Sequence, residues 1–222
     1  MRKVLVVAPH ADDETLGCGG TLLKHFDGGD EIYWLLVTDM SLESGFLQTQ
    51  IEARELEISK IIELYGFKET YRLGFPPAAL EAVPMKDIIQ AISSVVDKLH
   101  PEIIYSVFRN DVHSDHSIVS DAVMAATKSF RYPSVKRVLA FETLSETEFS
   151  LRVDGEHFRP NVFVNIEKYL TQKIEIMEQF KSEMGEFPFP RSAQAIQALA
   201  KYRGVQAGCE SAEAFMLLKE IR

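Results

Sequence analysis

Val4-Leu5-Val6-Val7-Ala8-Pro9-His10-Ala11-Asp12-Asp13-Glu14 is the stretch on which the reading of this chain turns. Its first half is a continuous apolar run stopped by proline, the pattern of a strand buried on both faces of a sheet. Its second half packs ligand-type and proton-carrying side chains, His10, Asp12, Asp13 and Glu14, directly behind that strand. Ligands of open parallel sheets bind beyond the carboxyl ends of the strands, so a polar cluster at such an end marks a candidate site.

The same pattern recurs about a hundred residues on. Ile103 to Phe108 reads as a second buried strand, followed by Asn110, Asp111, His113, Asp115 and His116. Further strands are expected at Ile32 to Thr38, Tyr71 to Phe75 and Val135 to Phe141. Between them lie amphipathic helices, one with its stripe at Met85, Ile88, Ile89, Ile92, Val95, Val96 and Leu99, another at Ile118, Val119, Ala122, Val123 and Ala126. Strands alternating with helices predict an α/β fold, a Rossmann-like, mostly parallel sheet flanked by helices. In the strand order 3-2-1-4-5 the first and fourth strands are neighbours, so the two clusters would meet at the switch point.

After Glu142 the alternation relaxes. A strand at Asn161 to Ile166, a helix carrying Leu170, Ile174 and Met177, a break at Glu186 to Pro190 and a helix from about Ser192 to Tyr202 read as a C-terminal extension. Ala214 to Ile221 fits either a short edge strand or a helix. No repeat or long polar linker divides the 222 residues, so residues 1–222 are expected to form a single domain.

Composition narrows the function. Apolar residues make up 46% and charged residues 26%, which suits a globular protein rather than a disordered one. A net charge of −9 leaves no cationic excess to neutralise phosphates, which argues against nucleic acid as a partner. No apolar run is long enough for a membrane span or a signal-peptide core, so the expected location is cytoplasmic. The two cysteines, Cys18 and Cys209, imply no disulfide framework. Cys18 reads as a small packing residue, and Gly17, Gly19 and Gly20 around it as sites of close helix packing rather than a nucleotide fingerprint.

Consecutive loop residues diverge, so the first cluster must divide its labour. A catalytic metal site keeps three protein ligands and an open position. His10 with one of the two aspartates supplies two ligands, the other aspartate is left as a base, and the third ligand must come from elsewhere. His116 falls in the first turn of a helix, where the dipole disfavours a cation and favours the neutral imidazole that binds metal. His113 lies three residues earlier with Asp115 between, so one of the two histidines can ligate while the other, oriented by a carboxylate, handles a proton or a developing oxyanion. Helix capping accounts for one of Asp12 and Asp13, but not for His10 or the run of acids. His25, His100 and His157 have no comparable company and read as structural. Arg54, on a helix face near the crevice rim, is a candidate for sugar hydroxyls or a phosphate, and Glu142, just past the fifth strand, for hydrogen bonds to a sugar, with an intrahelical pair to Glu57 and a surface position as the respective alternatives.

Ala8-Pro9-His10-Ala11-Asp12-Asp13-Glu14 with His113-Ser114-Asp115-His116 resembles the (P/A)HPDDE and HxDH signatures of the PIG-L/LmbE family of metal-dependent N-acetylglucosaminyl-type deacetylases. The likeness extends to Arg54-Glu55-Leu56-Glu57, Gly66, Arg203-Gly204 and Ala212-Glu213-Ala214-Phe215. It implies His10, Asp13 and His116 as ligands of one divalent metal, Zn²⁺ first and Fe(II) second. It also implies Asp12 as general base and His113 as acid or oxyanion donor oriented by Asp115. The implied substrate is a small N-acetylated sugar or conjugate, hydrolysed to acetate and a primary amine; association into a homo-oligomer is left open. Ala11 stands where the family usually has proline, so this loop is expected to be less rigid. Competing readings are a noncatalytic carbohydrate-binding or scaffold protein on the same fold, and a metal hydrolase of another amide or ester.

Overall fold

The computed structural model describes residues 1–150 and 155–222. Strands β1 (Lys3–Ala8), β2 (Glu31–Thr38), β3 (Glu69–Phe75), β4 (Ile103–Val107) and β5 (Arg137–Phe141) pair in parallel in the order β3-β2-β1-β4-β5. Helices α1 (Asp13–Asp27), α2 (Gln48–Tyr65), α3 (Met85–Leu99) and α4 (Ser114–Ala125) make the crossovers. The apolar runs become strands because both faces are covered: every residue of β4, and all but the first of β1 and β2, is buried. No helix among the described residues is long and apolar enough to cross a membrane.

The last part of the chain extends this sheet. Strands β6 (Val162–Asn165) and β7 (Ala212–Glu220) join antiparallel, giving the full order β3-β2-β1-β4-β5-β7-β6, with α5 (Leu170–Met177) and α6 (Ala193–Ala207) alongside. The final segment is thus a strand, and it lies inside the sheet, between β5 and β6, rather than at its edge. Its buried first half, Ala212 to Phe215, pairs with β6, its second half pairs with β5, and Phe215 has sheet neighbours on both sides.

Register fixes where the site lies. Val4 to Val7 of β1 stand opposite Ile103 to Ser106 of β4, so the two strands end level and release their loops side by side. The first loop is tied down by Thr38 at the end of β2, whose backbone N–H (3.0 Å) and hydroxyl (2.8 Å) both donate to the Pro9 carbonyl.

Helix α1 leaves that loop and bends at Cys18 (φ −142°, ψ 20°), which is fully buried. The glycines around the bend sit where nothing larger fits: a Cβ at Gly17 would lie 2.0 Å from the Phe141 ring, and one at Gly20 2.8 Å from Ile166. Interrupting the helix frees backbone donors. The Glu213 carboxylate of β7 accepts from Gly20 N–H (2.9 Å) and Thr21 N–H (2.7 Å). Lys173 of α5 completes the cluster, donating to Glu213 (2.7 Å) and to the Leu16 carbonyl (2.8 Å). Both side chains are almost fully buried. Removing one partner of a buried pair costs about 3–5 kcal/mol, a large part of the roughly 5–15 kcal/mol that holds a domain folded. Glu213→Ala is expected to lower the unfolding free energy by about that amount in urea titrations; a loss within about 1 kcal/mol of zero would show that the cluster contributes little.

Candidate active site

Asp13, the first residue of α1, stands between two imidazoles. Its Oδ2 lies 3.3 Å from His10 Nδ1 and its Oδ1 3.3 Å from His116 Nε2. Ligand-type atoms of His10, Asp13 and His116 all fall within 4.8 Å of one another. The outer nitrogen of each ring is already engaged: His116 Nδ1 donates to Asp111 (2.7 Å) and His10 Nε2 to Asp115 (2.9 Å). Each carboxylate is in turn fixed, Asp111 by the Thr147 hydroxyl (2.7 Å) and Asp115 by the N–H groups of Ala78 (2.7 Å) and Leu80 (3.2 Å). His116 Nε2 is buried and meets no hydrogen-bond partner among the described residues. Inner nitrogens turned toward a shared carboxylate, with outer nitrogens donating to carboxylates, form the donor set and supporting shell of a divalent cation. The residues therefore fit a metal, and a His₂–carboxylate set suits Zn²⁺ and Fe²⁺ alike.

The Asp13 charge draws protons onto both rings, and metal binding there would release them. Burial opposes the charged form of both imidazoles, yet Asp115 and Asp13 lift His10 to about 9, and Asp13 and Asp111 lift His116 to about 10. The helix end at His116 is thus outweighed by two carboxylates. Burial also works against the Asp13 anion, but His116 and His10 hold it below the usual carboxylate range.

Asp12 precedes α1 without capping it. Its carboxylate accepts from Arg191 Nη1 (2.9 Å), which also lies 3.1 Å from Glu183. Burial pushes the Asp12 carboxyl upward, reinforced by Asp13 and Glu183 and opposed by Arg191 and His10. Glu14 turns inward instead, accepting from the Thr15 hydroxyl (2.6 Å).

His113 caps α4, its Nδ1 accepting from the Asp115 backbone N–H (3.1 Å). In the neutral ring this places the proton on Nε2. Burial, then the neighbouring His10 and His116, hold its pKa down. His113 is oriented by the Asp115 backbone, while the Asp115 carboxylate belongs to His10.

Of the two expected substrate contacts, Arg54 lines the site cavity and Glu142 lies outside it. The Arg54 guanidinium is buried and already bound, by Nη1 to the Ala11 carbonyl (2.7 Å) and by Nη2 to Ser182 (3.0 Å) and Glu183, with Glu57 3.3 Å from Nε. It anchors the loop at the position that lacks proline, so Ala11 is held from outside rather than by its own ring. Glu142 pairs with Arg203 (2.7 Å) and faces a separate small crevice. The residues without a clear sequence signal are Asp111, Thr147, Glu183 and Arg191; of these only Asp111 stands within one of the two polar clusters.

These groups line a cavity of about 250 Å³, with His10, Asp12, Asp13, His113 and His116 on one side and Leu36, Met40, Phe46, Ile58 and Pro77 among its apolar walls. That is slightly below the roughly 300–1,000 Å³ typical of pockets for drug-sized ligands.

A doubly wound sheet with a His-Asp-His trio at its switch point, Asp13 and His116 buried and His10 half-buried, defines the class: an α/β protein built around a metal-type centre. The family model described as PIG-L, GlcNAc-PI de-N-acetylase, matches residues 5–127, and the chain belongs to that family of deacetylases. Diacetylchitobiose deacetylase of Thermococcus kodakarensis is 25% identical, covering 96% of this chain and 82% of that protein. A probable N-acetyl-alpha-D-glucosaminyl L-malate deacetylase 2 of Bacillus anthracis is also 25% identical, over 82% of this chain and 81% of its own. Among solved structures, the conserved protein TT1542 from Thermus thermophilus superposes with a TM-score of 0.79 at 26% identity, covering 100% of this chain and 97% of that one.

Loss of a residue that supports a metal ligand typically costs about 10–100-fold in metal affinity or activity. Asp111→Ala is expected to weaken Zn²⁺ binding within that range in chelator competition. Unchanged affinity would mean that His116 is not held for a metal.

Proposed function

We propose that this protein hydrolyses the N-acetyl group of an amino-sugar substrate in a metal-dependent reaction, releasing acetate and a primary amine. The observation that carries the reading is the convergence of His10, Asp13 and the unpartnered His116 Nε2 in one cavity with an acid, Asp12, and a neutral donor, His113. The names of the two relatives, both deacetylases of N-acetylated sugar compounds, agree with it.

In this mechanism His10, Asp13 and His116 hold the metal, Zn²⁺ or Fe(II), which when bound supplies Lewis acidity toward the acetyl carbonyl and toward water. Asp12, held beside the centre by Arg191, takes the proton of the attacking water. His113 presents Nε2–H to the carbonyl oxygen as negative charge develops there. When the tetrahedral species collapses, the C–N bond breaks, the proton gathered at Asp12 passes to the departing nitrogen, and the acetyl carbon leaves as acetate. Asp111 and Asp115 hold the two imidazole ligands in the required tautomers. Arg54 serves the site indirectly, by gripping the Ala11 carbonyl and Glu183. Glu142 is not needed for any step.

The test is acetate release from N-acetyl sugars by metal-loaded and chelator-treated protein. Release is expected to stop on chelation and return with Zn²⁺ or Fe(II); release that persists in metal-free protein sinks the mechanism. Removing one oxyanion donor typically costs about 10²–10³ in rate. His113→Ala should therefore lose turnover on that scale while keeping its metal, whereas His10→Ala and His116→Ala should lose the metal itself. Full activity in His113→Ala would remove that residue from the mechanism.

A further inference from the structure

Glu146 lies in the short loop that follows β5 and is used by none of these steps. The loop is tightly built. Thr143 N–H donates to Thr147 Oγ1 (2.8 Å), the Thr147 hydroxyl donates to Asp111 (2.7 Å), and Val112 N–H donates to the Glu146 carbonyl (3.1 Å). At its centre Ser145 has φ 77°, a left-handed conformation uncommon for a residue with a side chain. Strained residues persist where surrounding bonds over-determine them and often mark ligand contacts. Ser145 and Glu146 both line the cavity.

The other acids on that wall are committed. Asp13 lies between His10 and His116, Asp12 and Glu183 share Arg191, Glu183 also takes Arg54, and Asp39 is bound by Arg72. Glu146 accepts from the hydroxyl of its neighbour Ser145 (3.0 Å), and no arginine or lysine among the described residues forms an ion pair with it. A carboxylate is acceptor-only, with about four lone-pair sites, so Glu146 keeps acceptor capacity facing the cavity. A phosphate or carboxylate on a ligand would meet this charge at close range. To reach Arg191 or Arg54 it would have to displace Asp12, Glu183 or the Ala11 carbonyl.

We infer that Glu146 is a specificity-determining residue: its carboxylate accepts hydrogen bonds from hydroxyl or ammonium groups of the ligand and turns away anionic substituents. The cavity thereby selects uncharged or amine-bearing amino sugars over phosphorylated or carboxylated ones, which sides with the uncharged diacetylchitobiose named for one relative and against the carboxylated malate conjugate named for the other. The choice of ligand rests on the deacetylase reading, but the discrimination by charge is independent of turnover.

Two readouts keep the two ideas apart. Calorimetric titration of the metal-loaded protein with glucosamine and with glucosamine 6-phosphate measures the binding preference. Acetate release from the corresponding N-acetyl compounds measures kcat/KM for each. Wild-type protein is expected to favour the unphosphorylated member by about tenfold or more in both, a preference of about 1.4 kcal/mol. The isosteric Glu146→Gln should shrink the ratio to about threefold or less, while Glu146→Asp, which keeps the charge, should retain most of it. Equal or tighter binding of the phosphorylated sugar, binding of neither, or a ratio unmoved in Glu146→Gln overturns the inference. A binding preference that Glu146→Gln abolishes, with no acetate released from either substrate, leaves this inference standing and removes the deacetylase reading. Acetate release without charge discrimination does the reverse.

Discussion

A carboxylate taken out of water must find compensation close by, and the Asp13 charge is the constraint around which the rest of this molecule is arranged. Its compensation comes from two imidazoles on different loops. Those loops meet because β1 and β4 are paired in register and end level. Each imidazole in turn needs a fixed tautomer, which is why Asp111 and Asp115 are buried behind them and bonded by Thr147 and by the backbone of Ala78 and Leu80. The polar centre is thus several shells deep, each shell justified by the one inside it.

A second network joins this centre to the C-terminal half of the chain. Arg54 of α2 and Arg191, just before α6, share Glu183. From there one guanidinium reaches the Ala11 carbonyl and the other the Asp12 carboxylate. The loop that lacks the customary proline is therefore held at two consecutive residues by arginines from two separate segments. Rigidity supplied by side-chain bonds replaces rigidity supplied by a ring, and Asp12 gains a fixed orientation in the exchange.

Much of this is legible in the sequence, for physical reasons. Strands buried on both faces announce themselves as unbroken apolar runs, so β1, β2 and β4 and the meeting of the two clusters follow from pattern alone. What the pattern lacks is any record of which groups touch. The position of β7 inside the sheet depends on β6 covering its far side, which periodicity cannot express. Arg54 lies on the expected helix and near Glu57 as its spacing allows, but Ser182 and Glu183 reach it from a segment more than a hundred residues away. Arg191 follows a stretch broken by Pro188 and Pro190, where no period exists to read. Beyond the fifth strand the sequence points to Glu142, whereas the acid facing the cavity is Glu146. The turn that brings it there bends at a serine, and only glycine or asparagine would have advertised a left-handed residue. By spacing, Asp115 serves its neighbour His113; its backbone does so, and its side chain crosses to the other loop.

The bond from Glu213 to Gly20 spans 193 residues, and this has a temporal side. At about 5–20 residues per second of synthesis, the bend of α1 waits roughly 10–40 s for the carboxylate that closes it. The trio of ligand residues completes earlier, once the segment carrying His116 has been made. During that interval the chain has His10, Asp13 and His116 before it has the strand that seats α1. The first pieces of the centre to be made are thus among the last to be locked.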